Sequence, residues 1–275
     1  MDGSRTRLAA LALAASLAAL PCAAAADAPP AGDVYELSWS REVPILAVSA
    51  AGGAAARLFW DGIGGEPCPC DASGLNGLDR GTAGRRDDGA ATASDILAGL
   101  ALAAPFAIDY LDVRSGGSAD GFDRDAVVML EALALSGGID QVVKAATHRP
   151  RPLVYGLPPG DPDLAKTDNY RSFYSSHTAT TFAVGVAYAR THALRHPGSD
   201  ANWAVYGGAV LVGAAVGALR VAAGRHFPTD VLVGAVAGTA IGLLVPALHA
   251  PKPLEDGSIS SAPSGLAFRI TIPLR

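Results

Sequence analysis

Long apolar runs, separated by polar segments rich in glycine and proline, fill the second half of the chain. Most of these runs are longer than the roughly eight residues of a buried strand, so they predict helices. The predicted helices cover residues 96–108, 126–143, 175–194, 203–221 and 228–248. Proline ends the second of them, at 150 and 152, and opens the last at 228, because proline suits the first turn of a helix but not its interior.

Two short segments near the ends of the chain have a different pattern. Residues 34–39 (VYELSW) and 265–274 (GLAFRITIPL) alternate apolar and polar positions, which predicts two short strands that would pair with each other. An apolar run to residue 60 and an irregular segment at 62–89, rich in Gly, Asp and Arg, follow the first of them. The predicted fold class is all-α, a bundle of about five or six helices with short strand segments near the termini.

The first 26 residues have the three parts of a secretory signal. Arg5 and Arg7 precede an apolar stretch at 8–20, and small residues at 24–26 precede Asp27. The apolar stretch is short for a membrane span, which needs about 20 residues. We therefore expect export, to the periplasm if the cell is Gram-negative, and an uncleaved membrane anchor is the alternative.

Composition narrows the possible partners. Apolar residues make up 50% of the chain, charged residues 17%, and the net charge of -5 gives no basic surface for nucleic acid. Abundant Ala and Gly suit closely packed helices, in water or in lipid. Asp95 and Asp109 bracket one predicted helix and Glu131 interrupts another, and charges that face lipid are costly. We expect a soluble or peripheral periplasmic protein. The alternative is a membrane protein, either integral or peripheral.

Cys68 and Cys70 form a C-x-C pair within the irregular segment. In an oxidising compartment such a pair would close a small disulfide or remain as two thiols. Two cysteines are too few for a metal site, and no other metal-binding side chains lie nearby in the sequence. A structural role in the loop is the preferred interpretation.

Three separated segments combine cations, hydroxyls, imidazoles and a carboxylate. They contain Lys144 and Arg151 (KAATHRPRP), Ser175, Ser176 and His177 (SFYSSHT), and Arg220, His226 and Asp230 (LRVAAGRHFPTD). A site that binds a tetrahedral oxyanion and forms a covalent histidine adduct needs this set of groups. The three segments therefore indicate one phosphate-binding catalytic site.

The segments resemble the superfamily of type 2 phosphatidic acid phosphatases, bacterial class A acid phosphatases and vanadium haloperoxidases. That superfamily has a Lys–six–Arg-Pro segment, a Pro-Ser-Gly-His segment and a Ser-Arg–five–His–three–Asp segment, in this order. The resemblance covers residues from about 94 to 249. Tyr174 and Ser176 stand where the superfamily has Pro and Gly, and Leu219 stands where it has Ser. All the ionisable residues are present, so we expect an active enzyme with a modified anion pocket.

The resemblance and the spacing together assign a role to each group. His226 is the expected nucleophile, and Asp230, four residues later, is expected to accept a hydrogen bond from its ring. His177 is the expected general acid. The expected phosphate-binding residues are Lys144, Arg151, Ser175, Ser176 and Arg220. Arg149 is interpreted as a flanking residue.

The expected organisation follows from these assignments. It comprises a signal peptide (1–26), a leader with the first apolar segment and the cysteine-containing loop (27–93), a phosphatase catalytic helical domain (94–249) and a C-terminal tail (250–275). The predicted activity is metal-independent hydrolysis of phosphate monoesters through a phosphohistidine, with no cofactor and with vanadate as an inhibitor. The substrate is a phosphorylated small molecule or lipid.

Two other functions remain open at this point. A vanadate-dependent haloperoxidase would share the anion pocket, although such enzymes are usually longer than this chain. A non-catalytic envelope protein would keep only the fold, and the presence of His177, His226 and Asp230 argues against it.

Overall fold

The computed structural model describes residues 33–60, 70–116 and 120–251. Over these ranges the protein is all-helical, as predicted, and no strand is found within them. The seven α-helices of the described ranges are α1 (Trp39–Trp60), α2 (Gly77–Arg80), α3 (Asp88–Ser115), α4 (Phe122–Thr147), α5 (Ser176–Arg195), α6 (Ala201–Ala222) and α7 (Pro228–His249). This is more than the five or six predicted, and α2 is a single turn of four residues. The signal-like segment, Cys68 and the strand predicted at 265–274 lie outside the described residues, and Cys70 is disulfide-bonded.

The strand predicted at 34–39 is not formed. Residues 33–38 are irregular, and Trp39 already begins α1. The segment crosses the C-terminal end of α7, where the Glu36 N–H donates to the His249 carbonyl over 2.9 Å, and Tyr35 is fully buried. The alternating pattern therefore reflects the burial of single side chains against the helices and not strand pairing.

Local capping explains where α3 and α4 differ from their predicted bounds. α3 begins at Asp88, earlier than the helix predicted over 96–108, because the Asp87 carboxylate accepts the Ala90 N–H over 2.9 Å and caps the helix. At its other end α4 continues past Lys144 to Thr147, and His148 then adopts a left-handed conformation with φ 46°. Both ends lie in polar segments where apolar periodicity gives no signal.

The long helices pack so that one end of the bundle gathers all the predicted catalytic segments. α4 and α6 end there, while α3, α5 and α7 begin there, as the ion pair between Asp95 of α3 and Arg220 of α6 shows. At the opposite end, Asp112 of α3 contacts His196, just past the end of α5. α5 lies at the centre, in contact with α3, α4, α6 and α7, and most of its residues are buried.

Small residues bring α5 and α7 into close contact. Gly234, Gly238 and Gly242 recur every four residues along α7 and face the backbone of α5. A Cβ atom added at Gly238 would lie 2.1 Å from the carbonyl oxygen of Ala179, so this position accepts no side chain without movement of a helix. The two helices that carry His177 and Asp230 are thus held at a fixed, short separation.

The exterior of the bundle is strongly apolar. Four of the helices, α3, α4, α6 and α7, are long and apolar enough to cross a membrane by length and composition. Large apolar side chains on them are exposed, including Leu111, Leu211 and Val236. This exterior fits the membrane alternative better than the soluble protein that the charges in the sequence predicted. Two of those three charges, Asp109 and Glu131, turn inward and are buried.

Candidate active site

A cavity of about 160 Å³ lies at the end of the bundle where the three sequence segments meet. Six of the eight predicted site residues line it, namely Lys144, Arg151, Ser176, His177, Arg220 and His226. Gln141, Asp168 and Arg171 complete the lining. Ser175 and Asp230 are fully buried and are not among the residues that line the cavity.

A tight turn between α6 and α7 delivers His226 to this cavity. α6 ends at Ala222, and Gly224 then adopts φ +69° against another loop. A Cβ atom at Gly224 would lie 1.7 Å from the Arg85 carbonyl oxygen, so only glycine fits there. Pro228 begins α7 immediately afterwards. The chain reverses within a few residues, and the imidazole is placed between the ends of two helices.

The ring of His226 is held by a backbone carbonyl. Its Nδ1 lies 2.6 Å from the Ser172 oxygen and must donate to it, since a carbonyl can only accept. The other ring nitrogen, Nε2, therefore carries a free lone pair on the cavity side. Complete burial, together with the positive charges of Lys144 and Arg151, lowers the pKa of His226 well below its usual value. The imidazole is neutral at physiological pH, as a nucleophile must be.

Asp230 does not form the hydrogen bond to His226 that the spacing predicted. Its Oδ2 atom is 3.8 Å from His226 Nδ1. That oxygen instead accepts the Phe227 N–H over 2.9 Å and the Ser172 hydroxyl over 2.6 Å. Asp230 therefore positions the loop residue whose carbonyl holds His226, and its contact with the imidazole is indirect.

Arg149 is part of the same network and not a solvated flanking residue. Its guanidinium donates to Asp230 over 2.5 Å and to Asp79 over 2.7 Å, and both carboxylates are fully buried. It also lies over the ring of Phe227, 4.4 Å from the ring centroid. Arg149 thus connects the loop before α5 to the start of α7.

His177 occupies the first turn of α5 and lines the same cavity. Its Nε2 atom is 3.0 Å from Asp95 Oδ1. Burial, followed by the nearby positive charges of Arg220 and Lys144, lowers the pKa of His177 to about 4 in spite of Asp95. A phosphate dianion among the same cations would offset their charge and raise this pKa, which is what a general acid requires.

The two serines before His177 have different roles. Ser175 caps α5, and its hydroxyl oxygen accepts hydrogen bonds from the N–H and the hydroxyl of Thr178. Ser176, which stands where the superfamily has glycine, hydrogen-bonds through its hydroxyl to Lys144 and, over 2.5 Å, to Asp140. Its side chain therefore holds the lysine ammonium and adds a link that glycine cannot make.

Each of the three predicted phosphate-binding cations has a carboxylate partner. The pairs are Lys144 with Asp140 at 2.9 Å, Arg151 with Asp168 at 2.8 Å and Arg220 with Asp95 at 2.9 Å. The side chains of Asp168 and Asp95 are 64% and 59% exposed, whereas that of Asp140 is fully buried. An incoming phosphate can displace the two exposed carboxylates into solvent, but the pair of Lys144 and Asp140 stays together.

Comparison with known families agrees with this geometry. The family model described as PAP2 superfamily matches residues 125–253. This part of the chain is thus similar to the superfamily that the three sequence segments resemble. No curated protein and no solved structure matches the chain. The PAP2 match supports a phosphatase activity in general terms. The matched range contains both members of the pairs Lys144–Asp140 and Arg151–Asp168, whereas Asp95, the partner of Arg220, lies before residue 125.

Several residues of the PAP2 cavity were missed by reasoning from the sequence. Asp140 had a usable signal, because it lies four residues before Lys144 and hence on the same face of α4. Asp95 and Asp168 had none, since each reaches its arginine from a distant part of the chain. Ser172 acts on His226 through its backbone carbonyl, which no side-chain pattern can reveal.

Potential metal ligands cluster elsewhere in the described part of the PAP2 protein. Two groups of His and carboxylate side chains have donor atoms within 4.8 Å of one another: Asp112 with His192 and His196, and Glu42 with Glu131 and His249. Both lie at the end of the bundle opposite the cavity. Neither group was predicted from the sequence, because Asp112 and Glu131 reach their histidines from a different helix.

Proposed function

We propose that this PAP2 protein is a membrane-embedded phosphatase that hydrolyses phosphate monoesters of lipids through a phosphohistidine on His226. One observation carries the proposal. The neutral His226 ring is fixed by the Ser172 carbonyl, and the same ring lines a cavity that also contains Lys144 and two predicted phosphate-binding arginines, Arg151 and Arg220. A buried neutral imidazole beside an anion pocket has the arrangement of an activated nucleophile.

The reaction proceeds in two balanced steps. His226 Nε2 forms a bond to phosphorus as the bond from phosphorus to the ester oxygen breaks, and His177 gives its proton to the departing alkoxide. His177, now neutral, takes a proton from water, whose oxygen attacks phosphorus and releases inorganic phosphate and the free imidazole. Lys144, Arg151 and Arg220 stabilise the charge that spreads over the equatorial oxygens in both transition states.

The apolar exterior supports a lipid substrate. Helices α3, α4, α6 and α7 expose apolar side chains along their lengths, and the cavity opens at one end of the bundle. A bundle embedded by those helices would place the cavity near the membrane surface, where the phosphate of a lipid headgroup lies. A soluble phosphate ester could enter the same cavity, so the lipid preference rests on location and not on a built lipid pocket.

Two measurements on the full-length chain test the proposal. Recovery in a membrane pellet that resists high salt and carbonate is expected, and release by carbonate would refute the embedding. In detergent micelles, we expect phosphate release from phosphatidic acid with a higher kcat/KM than from glycerol phosphate, its headgroup without the acyl chains. Equal values would refute the lipid preference, and bromide oxidation by peroxide with vanadate, in place of hydrolysis, would identify a haloperoxidase.

A further inference from the structure

A second polar cluster lies at the far end of the bundle, where no part of the proposed reaction takes place. It contains Glu42 in the first turn of α1, Glu131 of α4 and His249, the last residue of α7. All three side chains are buried. His249 is separated from Asp230 by nearly the whole of α7, which at about 1.5 Å per residue is roughly 28 Å. The cluster is therefore independent of the catalytic cavity.

The hydrogen bonding of His249 leaves one ring nitrogen facing two carboxylates. Its Nδ1 lies 2.7 Å from the Val245 carbonyl oxygen and must donate to it. Its Nε2 is 3.0 Å from Glu131 and 3.6 Å from Glu42, yet it makes no hydrogen bond with either. In the neutral ring this nitrogen is a lone pair directed at anions, an arrangement that a proton or a metal cation between them would relieve.

The two carboxylates are not equally provided with partners. Glu42 accepts the Ser38 N–H over 2.6 Å and the Arg41 guanidinium over 2.9 Å. Neither oxygen of Glu131 has a hydrogen-bond partner, although the residue is fully buried. Burying an ionised carboxylate without a partner is among the costliest arrangements in a protein. Of the two carboxylates, Glu131 is therefore the one that most clearly lacks a positively charged partner.

We propose that Glu42, Glu131 and His249 form a binding site for a divalent transition metal, with zinc as the first candidate. Zinc takes imidazole nitrogen and carboxylate oxygen, at bond lengths that put tetrahedral ligand atoms about 3.3–3.5 Å apart. The distances of 3.0 and 3.6 Å from His249 bracket this spacing, and all three donor atoms lie within 4.8 Å of one another. Only small side-chain movements separate the cluster from a coordination shell.

The surroundings of His249 are also those of a metal ligand. A histidine that binds a metal through one nitrogen generally donates its other ring N–H to a carbonyl or carboxylate, which fixes the ring. Val245 provides that carbonyl, and Arg41 in turn holds Glu42 and donates to the Leu248 and Glu36 carbonyls. A bound metal would join the start of α1 to α4 and to the end of α7. Its role would be structural, as a clamp on the first helix.

The other histidine cluster lacks these features. His196 Nε2 already pairs with Asp112 over 2.7 Å, and His192 Nδ1 lies 2.8 Å from the Asn202 side-chain oxygen. The carboxylate and both imidazoles thus have protein partners. This cluster of Asp112, His192 and His196 serves as an internal comparison for the experiment.

The test measures zinc on the full-length chain, purified in detergent without chelators, incubated with Zn²⁺ and freed of excess metal. Elemental analysis is expected to find about one zinc per wild-type chain. The variant Glu131→Gln keeps the shape of the side chain, and its affinity for zinc should be at least tenfold lower. Zinc should raise the melting temperature of the wild type but not of this variant. The matched control is Glu36→Gln, which changes an exposed carboxylate on the segment just before α1. This variant should bind zinc and melt as the wild type does.

Three results would overturn the proposal. The first is that the wild type binds no zinc, and the second is that Glu131→Gln binds as much zinc as the wild type. The third is that Asp112→Asn loses the zinc instead, which would assign the metal to the other cluster. If Glu131→Gln does not fold, Glu42→Gln gives the same comparison with a ligand nearer the surface. Zinc content and melting temperature do not depend on hydrolysis, so this test is independent of the proposed phosphatase activity.

Discussion

The close contact between α5 and α7 makes Gly238→Ala an informative perturbation. Gly238 lies in the middle of α7, and an added methyl group would lie 2.1 Å from the Ala179 carbonyl oxygen and 2.9 Å from Phe182 Cβ. The first of these atoms belongs to the backbone of α5, so no side-chain rotation relieves the clash. The two helices must separate, and they carry His177 and the network that positions His226.

The size of the effect follows from the contact distance. Carbon and oxygen atoms in contact lie about 3.5 Å apart, so the backbone at Ala179 must retreat by roughly 1.4 Å from the 2.1 Å approach. Overpacking of a well-packed core costs about 1–3 kcal/mol, and we expect the free energy of unfolding to fall by this amount. A displacement of about 1 Å between reacting groups can cost roughly 100-fold in rate, so kcat should fall by a comparable factor.

The matched control is the same substitution at Gly207 in α6, where an added Cβ meets nothing within 4 Å. Alanine is a better helix former than glycine, so Gly207→Ala should leave the stability unchanged or raise it by about 0.5–1 kcal/mol, with wild-type kcat. Both variants are compared in detergent by thermal unfolding and by phosphate release under saturating substrate. If Gly238→Ala matches Gly207→Ala in both assays, the inferred packing of α5 on α7 is wrong.

Four further predictions concern the cavity and the network of Arg149 beside it. His226→Ala should abolish turnover, and the acid-labile, base-stable phosphate trapped on the wild type should be missing; a variant with normal activity would eliminate the proposed nucleophile. His177→Ala should lose about 10²–10⁴-fold in rate on alkyl phosphates and far less on esters with good leaving groups, and an equal loss on both would make His177 a binding residue. For alkyl phosphates, wild-type kcat/KM should fall as the pH rises above the free-enzyme pKa of His177, about 4, because the protonated acid becomes scarcer; a rise with pH would contradict this assignment. Arg149→Met breaks contacts to two buried carboxylates and should lower the free energy of unfolding by roughly 3 kcal/mol. This is the low end for a buried pair, because the Arg149 side chain is 22% exposed. The control Arg114→Met changes an exposed arginine and should have no effect on the melting temperature or on kcat.

Much of the candidate site could be predicted from the sequence because the residues of each segment are close neighbours in the chain. His226 and Asp230 belong to one turn and the following helix, and Ser175 to His177 belong to one helix start, so local geometry limits where they can lie. The contacts within the site were less predictable. The partner of the His226 ring is a backbone oxygen of Ser172, and the spacing of four residues to Asp230 predicted a different bond.

The amino-acid sequence by itself determined that the chain is helical, where most long helices lie and that both histidines and three of the cations meet at one cavity. Apolar runs, prolines and short-range spacing act within one helix or turn, so they can be read along the chain. Only the tertiary structure decided that the charges at Asp109 and Glu131 turn inward, that the apolar residues face outward and that Arg149 joins two buried carboxylates. These depend on how separate helices rotate and pack against one another, and such long-range contacts leave no period in a single sequence.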